Sequence, residues 1–236
     1  MAKSSLFEAI YQRLGANFGE FDGWLLPSDF GDPAAEQRAM ETGCAAFDLS
    51  SFGRISLKSR DLSAIFEGAG FHLKQPLRDE GWVWAELAAE GVTVRCRVGL
   101  KGDEAFTLTP SGKAGLVMAA LEKGLDRGNG DCVLTDLTGR TGLLALYGPK
   151  AVESVKPLLP LDLDLLEPGE MMKLSFFMMN LIIFRGSWVD VDGLELLCPA
   201  SAAPLAGGVI AKYHEKQKIT PAGMTCLNVV MQEAGF

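Results

Sequence analysis

Apolar residues recur with two different periodicities along this chain of 236 residues, and their irregular alternation is the feature that most constrains its fold. Residues 54–58, 82–87 and 92–98 alternate as half-buried strands do, and the last two flank the short turn of a hairpin. Residues 113–123 instead place their large apolar side chains on one helical face. Because hairpins and helices follow each other irregularly, the sequence predicts an α+β fold with largely antiparallel sheets.

Turn-forming residues divide the chain into segments. Asp32 as a helix cap and Pro33 as the first helical residue predict a helix over 33–42. Glycine and proline recur before it, so residues 15–33 are predicted to form a loop. A second cluster of turn residues, Arg127–Asp131, predicts the main internal boundary of the chain.

The second half of the chain repeats the mixture of strands and helices. Residues 143–147, 172–177 and 180–184 are predicted strands, and residues 201–214 are a predicted helix. Residues 225–232 fit either a strand or a helix.

The net charge, the cysteines and the apolar segments indicate the compartment of the protein and the partners that it lacks. The formal charge of −8 disfavours a broad nucleic-acid-binding surface, because such a chain repels phosphate backbones. The five cysteines are widely spaced and contain no C-x-x-C pair, which fits a reducing compartment better than a disulfide framework or a zinc site. No apolar segment follows residues 1–5, and the apolar stretch over 175–184 is shorter than the ~20 residues that span a bilayer. We therefore expect a cytoplasmic protein without a signal peptide, a membrane partner or a nucleic-acid partner.

Residue chemistry alone yields no catalytic constellation. The two histidines, His72 and His214, lack metal-ligand spacing, and the phosphate-binding and hydrolase motifs are absent. Residues 190–193 lack the bidentate Glu of a calcium loop, so we expect no metal site. Cys96 lies within a predicted strand with Arg95 and Arg97 on its other face, which predicts a buried, inert thiol.

Five segments, spread in order over nearly the whole chain, carry a further pattern. They are residues 21–27 (FDGWLLP), 36–55 (EQRAM and GCAAFDLSSFGRI), 136–151 (DLT and LALYGPKA), 192–199 (DGLELLCP) and 223–235, which ends in EAG. Together these segments resemble the folate-binding aminomethyltransferase superfamily, whose best-known member is the glycine cleavage system T-protein.

The resemblance implies a fold and a cofactor. It implies two interleaved α+β subdomains, one formed by residues 1–49 and 132–236 and the other by residues 50–131. It also implies tetrahydrofolate or a folate derivative as the ligand. The residues that lie at or beside the family's folate positions, or that offer an aromatic ring to a pterin, are Trp84, Cys96, Trp188, Asp190, Asp192 and Glu195.

The chain also departs from the family pattern. Full-length members carry a C-terminal barrel domain, and we expect it to be absent because the chain stops just after the E-A-G motif. In the strand that carries the family's catalytic Asp, Arg95 or Cys96 stands at the acid's position, and neither replaces its carboxylate. Val191 lies nearest the position of the pterin-binding Glu, with Asp190 beside it, and Met231 replaces an Arg.

These departures favour a folate-binding, aminomethyltransferase-like protein that acts as a non-catalytic subunit or binder, with no catalytic residue assigned. The small subunit of heterotetrameric sarcosine oxidases resembles this chain in length, so we expect a protein partner or a homo-oligomer. The alternative is a degenerate, tetrahydrofolate-dependent aminomethyltransferase that performs one-carbon transfer. A folate-binding regulator without turnover is a third hypothesis.

Overall fold

A computed structural model describes residues 2–125, 131–159, 162–176 and 179–236. The chain divides into two compact units. Unit 1 comprises residues 1–50, 140–168 and 172–236, and unit 2 comprises residues 51–139 and 169–171. Of the predicted features, residues 127–130 of the turn cluster and residue 177 of a strand lie outside the described residues. None of the helices in the described ranges has the length and apolar character that crossing a membrane requires.

The first part of unit 1 contains a small sheet and two helices. Its elements are β1 (Lys3–Ser4), α1 (Glu8–Arg13), β2 (Asn17–Phe21), β3 (Trp24–Asp29), α2 (Pro33–Thr42) and β4 (Cys44–Asp48). Helix α2 begins and ends where the sequence predicted. The Asp32 side chain caps its start by accepting a hydrogen bond from the Ala35 amide at 2.9 Å. The strands β1, β3 and β2 form a three-stranded sheet in that order.

The prediction of a loop over residues 15–33 is wrong, because β2 and β3 form an antiparallel hairpin there. Asp22 and Gly23 connect the two strands with φ angles of 48° and 77°. Two successive positive φ angles are typical of a two-residue hairpin turn, and Asp-Gly is a favoured sequence for it. The abundance of glycine and proline concealed this signal.

Unit 2 is built around one antiparallel sheet. Its elements are β5 (Phe52–Lys58), α3 (Leu62–Gly68), β6 (Phe71–Leu73), β7 (Gly81–Ala89), β8 (Val92–Lys101), β9 (Glu104–Ser111), α4 (Ala114–Leu125) and β10 (Val133–Asp136). The strand order is β10-β5-β9-β8-β7-β6, and every pairing is antiparallel. One sheet face buries its apolar side chains in a core with those of α3 and α4. The predicted hairpin is confirmed: β7 and β8 meet at Glu90 and Gly91, which both have positive φ.

The rest of unit 1 forms a second six-stranded sheet. Its elements are β11 (Thr141–Tyr147), α5 (Ala151–Val155), β12 (Met171–Phe176), β13 (Met179–Arg185), β14 (Gly193–Pro199), α6 (Ala203–Gln217), β15 (Ile219–Pro221) and α7 (Met224–Glu233). The strand order is β12-β13-β14-β11-β4-β15. The β4–β15 pair is parallel, whereas β11 and β13 pair antiparallel to β14. The α+β class with largely antiparallel sheets is thus confirmed, and residues 225–232, which fitted either structure, lie in a helix.

The backbone conformation at Gly148 requires the glycine of the L-Y-G-P-K segment. Its φ is +126°, a conformation that side chains rarely adopt, and a Cβ atom added there would lie 2.7 Å from the carbonyl oxygen of Met40. The Gly148 amide donates to the backbone oxygen of Asp192 at 2.8 Å. This turn therefore ties β11 to the segment that leads into β14.

Candidate functional site

In unit 2, four side chains form an alternating row on the sheet face opposite the core, and we call it the Trp/Arg ladder (Trp82, Trp84, Arg95 and Arg97). The guanidinium carbon of Arg97 lies 5.0 Å from the ring centroid of Trp82 and 5.8 Å from that of Trp84. The guanidinium carbon of Arg95 lies 5.1 Å from the Trp84 centroid. The ladder follows from the hairpin register, which sets Trp84 directly opposite Arg97.

Burial distinguishes the two arginines of the ladder. Arg97 is 1% exposed, whereas Arg95 and both tryptophans are half-buried. Guanidinium groups are attracted to the electron-rich faces of indole rings, most strongly where water is excluded. Arg97 is therefore held in place as part of the sheet surface, and Arg95 is the cation of the ladder that a ligand can reach.

Glu86 adds a carboxylate at the outer end of the ladder, directly opposite Arg95 in the hairpin. Lys74 Nζ lies 2.7 Å from Glu86 Oε2. The hydrogen bond from Lys74 lowers the pKa of the Glu86 carboxyl, with smaller contributions from the charges of Lys74, His72 and Arg95. This end of the ladder is thus a solvent-exposed, charge-paired edge.

Cys96 lies on the opposite face of the same strand from the ladder. Its side chain is fully buried in the apolar core of unit 2. Burial raises the pKa of the Cys96 thiol to about 12. The prediction of a buried thiol, with Arg95 and Arg97 on the other face, is confirmed, and the structure does not bring Cys96 together with Trp84.

In unit 1, the segment between β13 and β14 is tied down by Asp192. Arg185 donates to both carboxylate oxygens of Asp192, at 2.8 and 2.5 Å, in a bidentate pair. The Ser187 hydroxyl is hydrogen-bonded to the backbone oxygens of Val189 and Val191. These contacts close residues 186–193 into a compact loop.

The aromatic candidate of this loop is buried, whereas one of its two acidic candidates is exposed. Trp188 is 1% exposed and packs edge-on against Phe236, with ring centroids 5.5 Å apart. Asp190 is exposed at the surface. Of the acids predicted in this segment, Asp192 is engaged by Arg185, and Asp190 is the one that faces solvent.

Glu195 lies on β14 as a fully buried carboxylate. The Tyr147 hydroxyl, on the neighbouring β11, donates to Glu195 Oε1 at 2.5 Å. Tyr147 in turn packs against Phe47, with ring centroids 5.6 Å apart. A carboxylate buried in this way is costly unless hydrogen bonds hold it, so this contact fixes both side chains.

Sequence reasoning missed the stacking of Arg97 and the pairing of Tyr147 with Glu195. A signal for the first was present, because Trp-x-Trp and Arg-x-Arg face each other across a short hairpin turn. No local signal announces the second, because the two residues belong to strands 48 positions apart. In the ranges that the structure describes, no group of three or more His, Cys, Asp or Glu side chains could hold a metal ion.

Comparison with known proteins gives one family match. The model of the GCVT N-terminal domain matches residues 7–236. An aminomethyltransferase of Saccharopolyspora erythraea is 26% identical over 239 residues, covering 96% of this chain and 62% of the relative. One from Cutibacterium acnes is 28% identical over 249 residues, covering 97% of this chain and 64% of the relative. The chain thus spans slightly less than two thirds of the length of these relatives.

Solved structures agree on the fold. The glycine cleavage system aminomethyltransferase T from Bartonella henselae superposes with a TM-score of 0.85 at 20% identity, covering 100% of this chain and 63% of that one. A chain of the heterotetrameric sarcosine oxidase from Corynebacterium sp. U-96 superposes with a TM-score of 0.55 at 17% identity, covering 78% of this chain and 92% of that one.

Proposed function

The chain belongs to the family of GCVT N-terminal domains, and from this premise we propose that it binds a folate without catalysing one-carbon transfer. The observation that carries this proposal is the chemistry of β8, the strand on which the family resemblance leads us to seek the catalytic acid. Arg95 and Arg97 cannot accept a proton at neutral pH, and the Cys96 thiol is buried with a pKa raised to about 12. None of the three residues can perform the task of a carboxylate there.

The Trp/Arg ladder supports binding of a folate. A folate has an anionic glutamate tail and a flat pterin ring, and guanidinium groups and indole faces recognise these two parts. Arg95 is the cation that a carboxylate can reach, and Trp84 offers the pterin a ring face once Arg95 leaves it. Tetrahydrofolate held there would supply the nitrogen atoms that carry a one-carbon unit, without a residue of β8 to catalyse its transfer.

The acidic candidates of unit 1 have separate roles in this proposal. Asp192 and Glu195 are held by Arg185 and Tyr147, so they shape the loop and the strand. Asp190 is exposed and is the acidic candidate of unit 1 that remains available to a ligand. Trp188 is buried, and we assign it to supporting the loop.

Titration with tetrahydrofolate, followed by tryptophan fluorescence, tests the proposal. We expect saturable binding in the micromolar range, weakened at least tenfold in Trp84→Ala. Trp24→Ala is the matched control, because Trp24 is also half-buried beside a cation, Lys3, but lies in unit 1. Absent or only millimolar binding would remove the proposal, and equal weakening in both variants would remove the assignment to the ladder.

A second candidate function is one-carbon transfer by a degenerate aminomethyltransferase. The likeness to aminomethyltransferases over nearly the whole chain favours it. An assay of one-carbon transfer by the purified chain separates the two candidates. Turnover that is lost in Asp190→Asn and kept in Asp162→Asn, an exposed acid elsewhere in unit 1, would replace the binding proposal with the enzyme.

We further propose that the chain works in the cytoplasm within an assembly, either with a protein partner or as a homo-oligomer. The likeness in fold to a chain of a heterotetrameric oxidase supports this proposal. Size-exclusion chromatography with light scattering tests it on the purified chain and on the chain isolated from its own cells. A monomer in both samples, at all concentrations, would contradict it.

A further inference from the structure

Unit 1 contains a cavity of about 510 Å³ between its six-stranded sheet and the helices α5 and α6. Leucine, isoleucine, valine, alanine and methionine make up its walls, and Ser175 is the one polar residue among the described residues that line it. Protein interiors are close-packed, and they rarely contain voids much larger than a water molecule. A cavity of this volume falls instead in the range of small-molecule sites.

The cavity is elongated. Its sheet wall crosses four neighbouring strands, from Leu144 on β11 to Leu174 on β12. Strands lie ≈4.8 Å apart, so this wall is about 14 Å wide. Its helix wall runs from Ala202 to Ile210, which at 1.5 Å per residue is about 12 Å long.

The exposed lining residues lie at one end of the cavity. Ile182 on β13 is level with Leu197 on β14, so Met179 lies just beyond the end of β14. The end of β12, the start of β13 and the start of α6 therefore lie at the same end of the sheet. Ser175 and Leu205, the exposed residues of the described lining, belong to β12 and α6.

At the opposite end, the described lining residues are buried or half-buried, with Leu158 and Leu159 among the half-buried ones. Val155 of α5, Ile183 of β13 and Ile210 of α6 line the cavity there and are at most 8% exposed. The cavity is thus an apolar slot whose exposed lining residues gather at one end. Near that end, the Ser175 hydroxyl donates to Asn180 Oδ1 at 2.9 Å, on the sheet face opposite Leu174 and Leu181.

We propose that this slot binds the hydrocarbon chain of a small amphiphile, with the polar end of the ligand in solvent at the end lined by the exposed Leu205. An aliphatic chain matches the elongated shape and the aliphatic walls, and it requires no hydrogen-bond partner inside. A folate does not fit this chemistry, because its pterin nitrogens and carboxylates would lose their hydrogen bonds to water without replacement. The slot is therefore a second site, independent of the Trp/Arg ladder.

Displacement of the neutral fluorescent probe N-phenyl-1-naphthylamine by 1-alkanols tests the proposal on the full chain. We expect the affinity to rise about fourfold per added CH₂ group, the equivalent of ≈0.8 kcal/mol, and to level off once the chain fills the slot. Tetrahydrofolate should leave the probe bound. Absence of saturable probe binding, or an affinity that rises with chain length without limit, would overturn the proposal.

Three variants locate the site. Ala206→Phe places a ring in the slot and should weaken probe and dodecanol binding at least tenfold, whereas Glu215→Phe puts the same side chain on an exposed position of α6 outside it. Ala206→Leu provides a smaller filling if the first variant does not fold. Equal binding by wild type and a folded filled variant would overturn the assignment. Because folate does not compete here, failure of this test leaves the folate proposal standing, and the reverse also holds.

Discussion

The guanidinium carbon of Arg97 lies 5.0 Å from the ring centroid of Trp82 and is shielded almost completely from solvent. A cation in such a position is stabilised by ring faces, and their contribution grows as water is excluded. Strand β8 thus presents a fixed positive charge beside the positions where the family resemblance led us to seek a carboxylate. This charge suits an anionic ligand, and a guanidinium cannot accept a proton in place of a carboxylate.

Replacing Arg97 should show how much the ladder stabilises the protein. Arg97→Met keeps the aliphatic contact and removes the guanidinium, so we expect the free energy of unfolding to fall by about 1–2 kcal/mol. Arg95→Met is the matched control, and because Arg95 is half-buried we expect it to cost less than about 1 kcal/mol. Urea denaturation followed by circular dichroism measures both, and equal losses would contradict the difference in burial.

The contact between Tyr147 and Glu195 gives a second prediction. Tyr147→Phe removes the hydroxyl that donates to the fully buried Glu195 carboxylate, which should cost about 1–3 kcal/mol of unfolding free energy. Tyr213→Phe, at a half-buried position of α6, should change it by less than about 0.5 kcal/mol. Denaturant unfolding of the three proteins measures the difference. A loss no larger than that of the control would mean that other groups satisfy Glu195.

Glu36 joins two distant parts of unit 1, and this yields a third prediction. Its buried carboxylate accepts from the Phe30 amide at 2.6 Å and from the Gly223 amide, at the start of α7, at 2.9 Å. Glu36→Gln turns one acceptor into a donor that faces an N–H group, so we expect a loss of about 1.5–3 kcal/mol. Glu41→Gln, exposed on the same helix, should stay within about 0.5 kcal/mol in the same unfolding experiment.

Structural features that depend on residues close in sequence could be predicted from local patterns. The hairpin of β7 and β8 and the opposite faces of Cys96 and Arg97 follow from an alternation with period two. The cap at Asp32 and the first turn of α2 follow from residues three positions apart. In both cases, the partners that fix the structure are visible in one short stretch of sequence.

Contacts between residues far apart in the sequence could not be predicted from such patterns. Glu36 and Gly223 are 187 positions apart, and only the assembled sheet and helices bring them within hydrogen-bond distance. The apolar slot likewise combines residues from Leu144 to Ile210, each of which has the pattern of an ordinary core residue. The β2–β3 hairpin was missed for another reason, because glycine and proline in its strands obscured the Asp-Gly turn.

Cysteine reactivity gives the last prediction, which depends on pH. Burial raises the pKa of the Cys44, Cys96 and Cys226 thiols to about 12. A raised pKa keeps a thiol protonated, so at pH 8 the thiolate fraction of these three is on the order of one in ten thousand. Cys198 is fully buried, whereas Cys132 is half-buried beside Ser59.

A disulfide reagent such as DTNB should therefore modify one thiol per native chain rapidly at pH 8, and all five after denaturation. Cys132→Ser should abolish the rapid phase, whereas Cys44→Ser should leave it unchanged. Because the three shifted thiols ionise only near pH 12, their slow reaction should accelerate about tenfold per pH unit between pH 8 and 10, provided that the fold stays intact. Two or more rapid thiols in the native chain would show that the cores of the units open far more readily than their packing indicates.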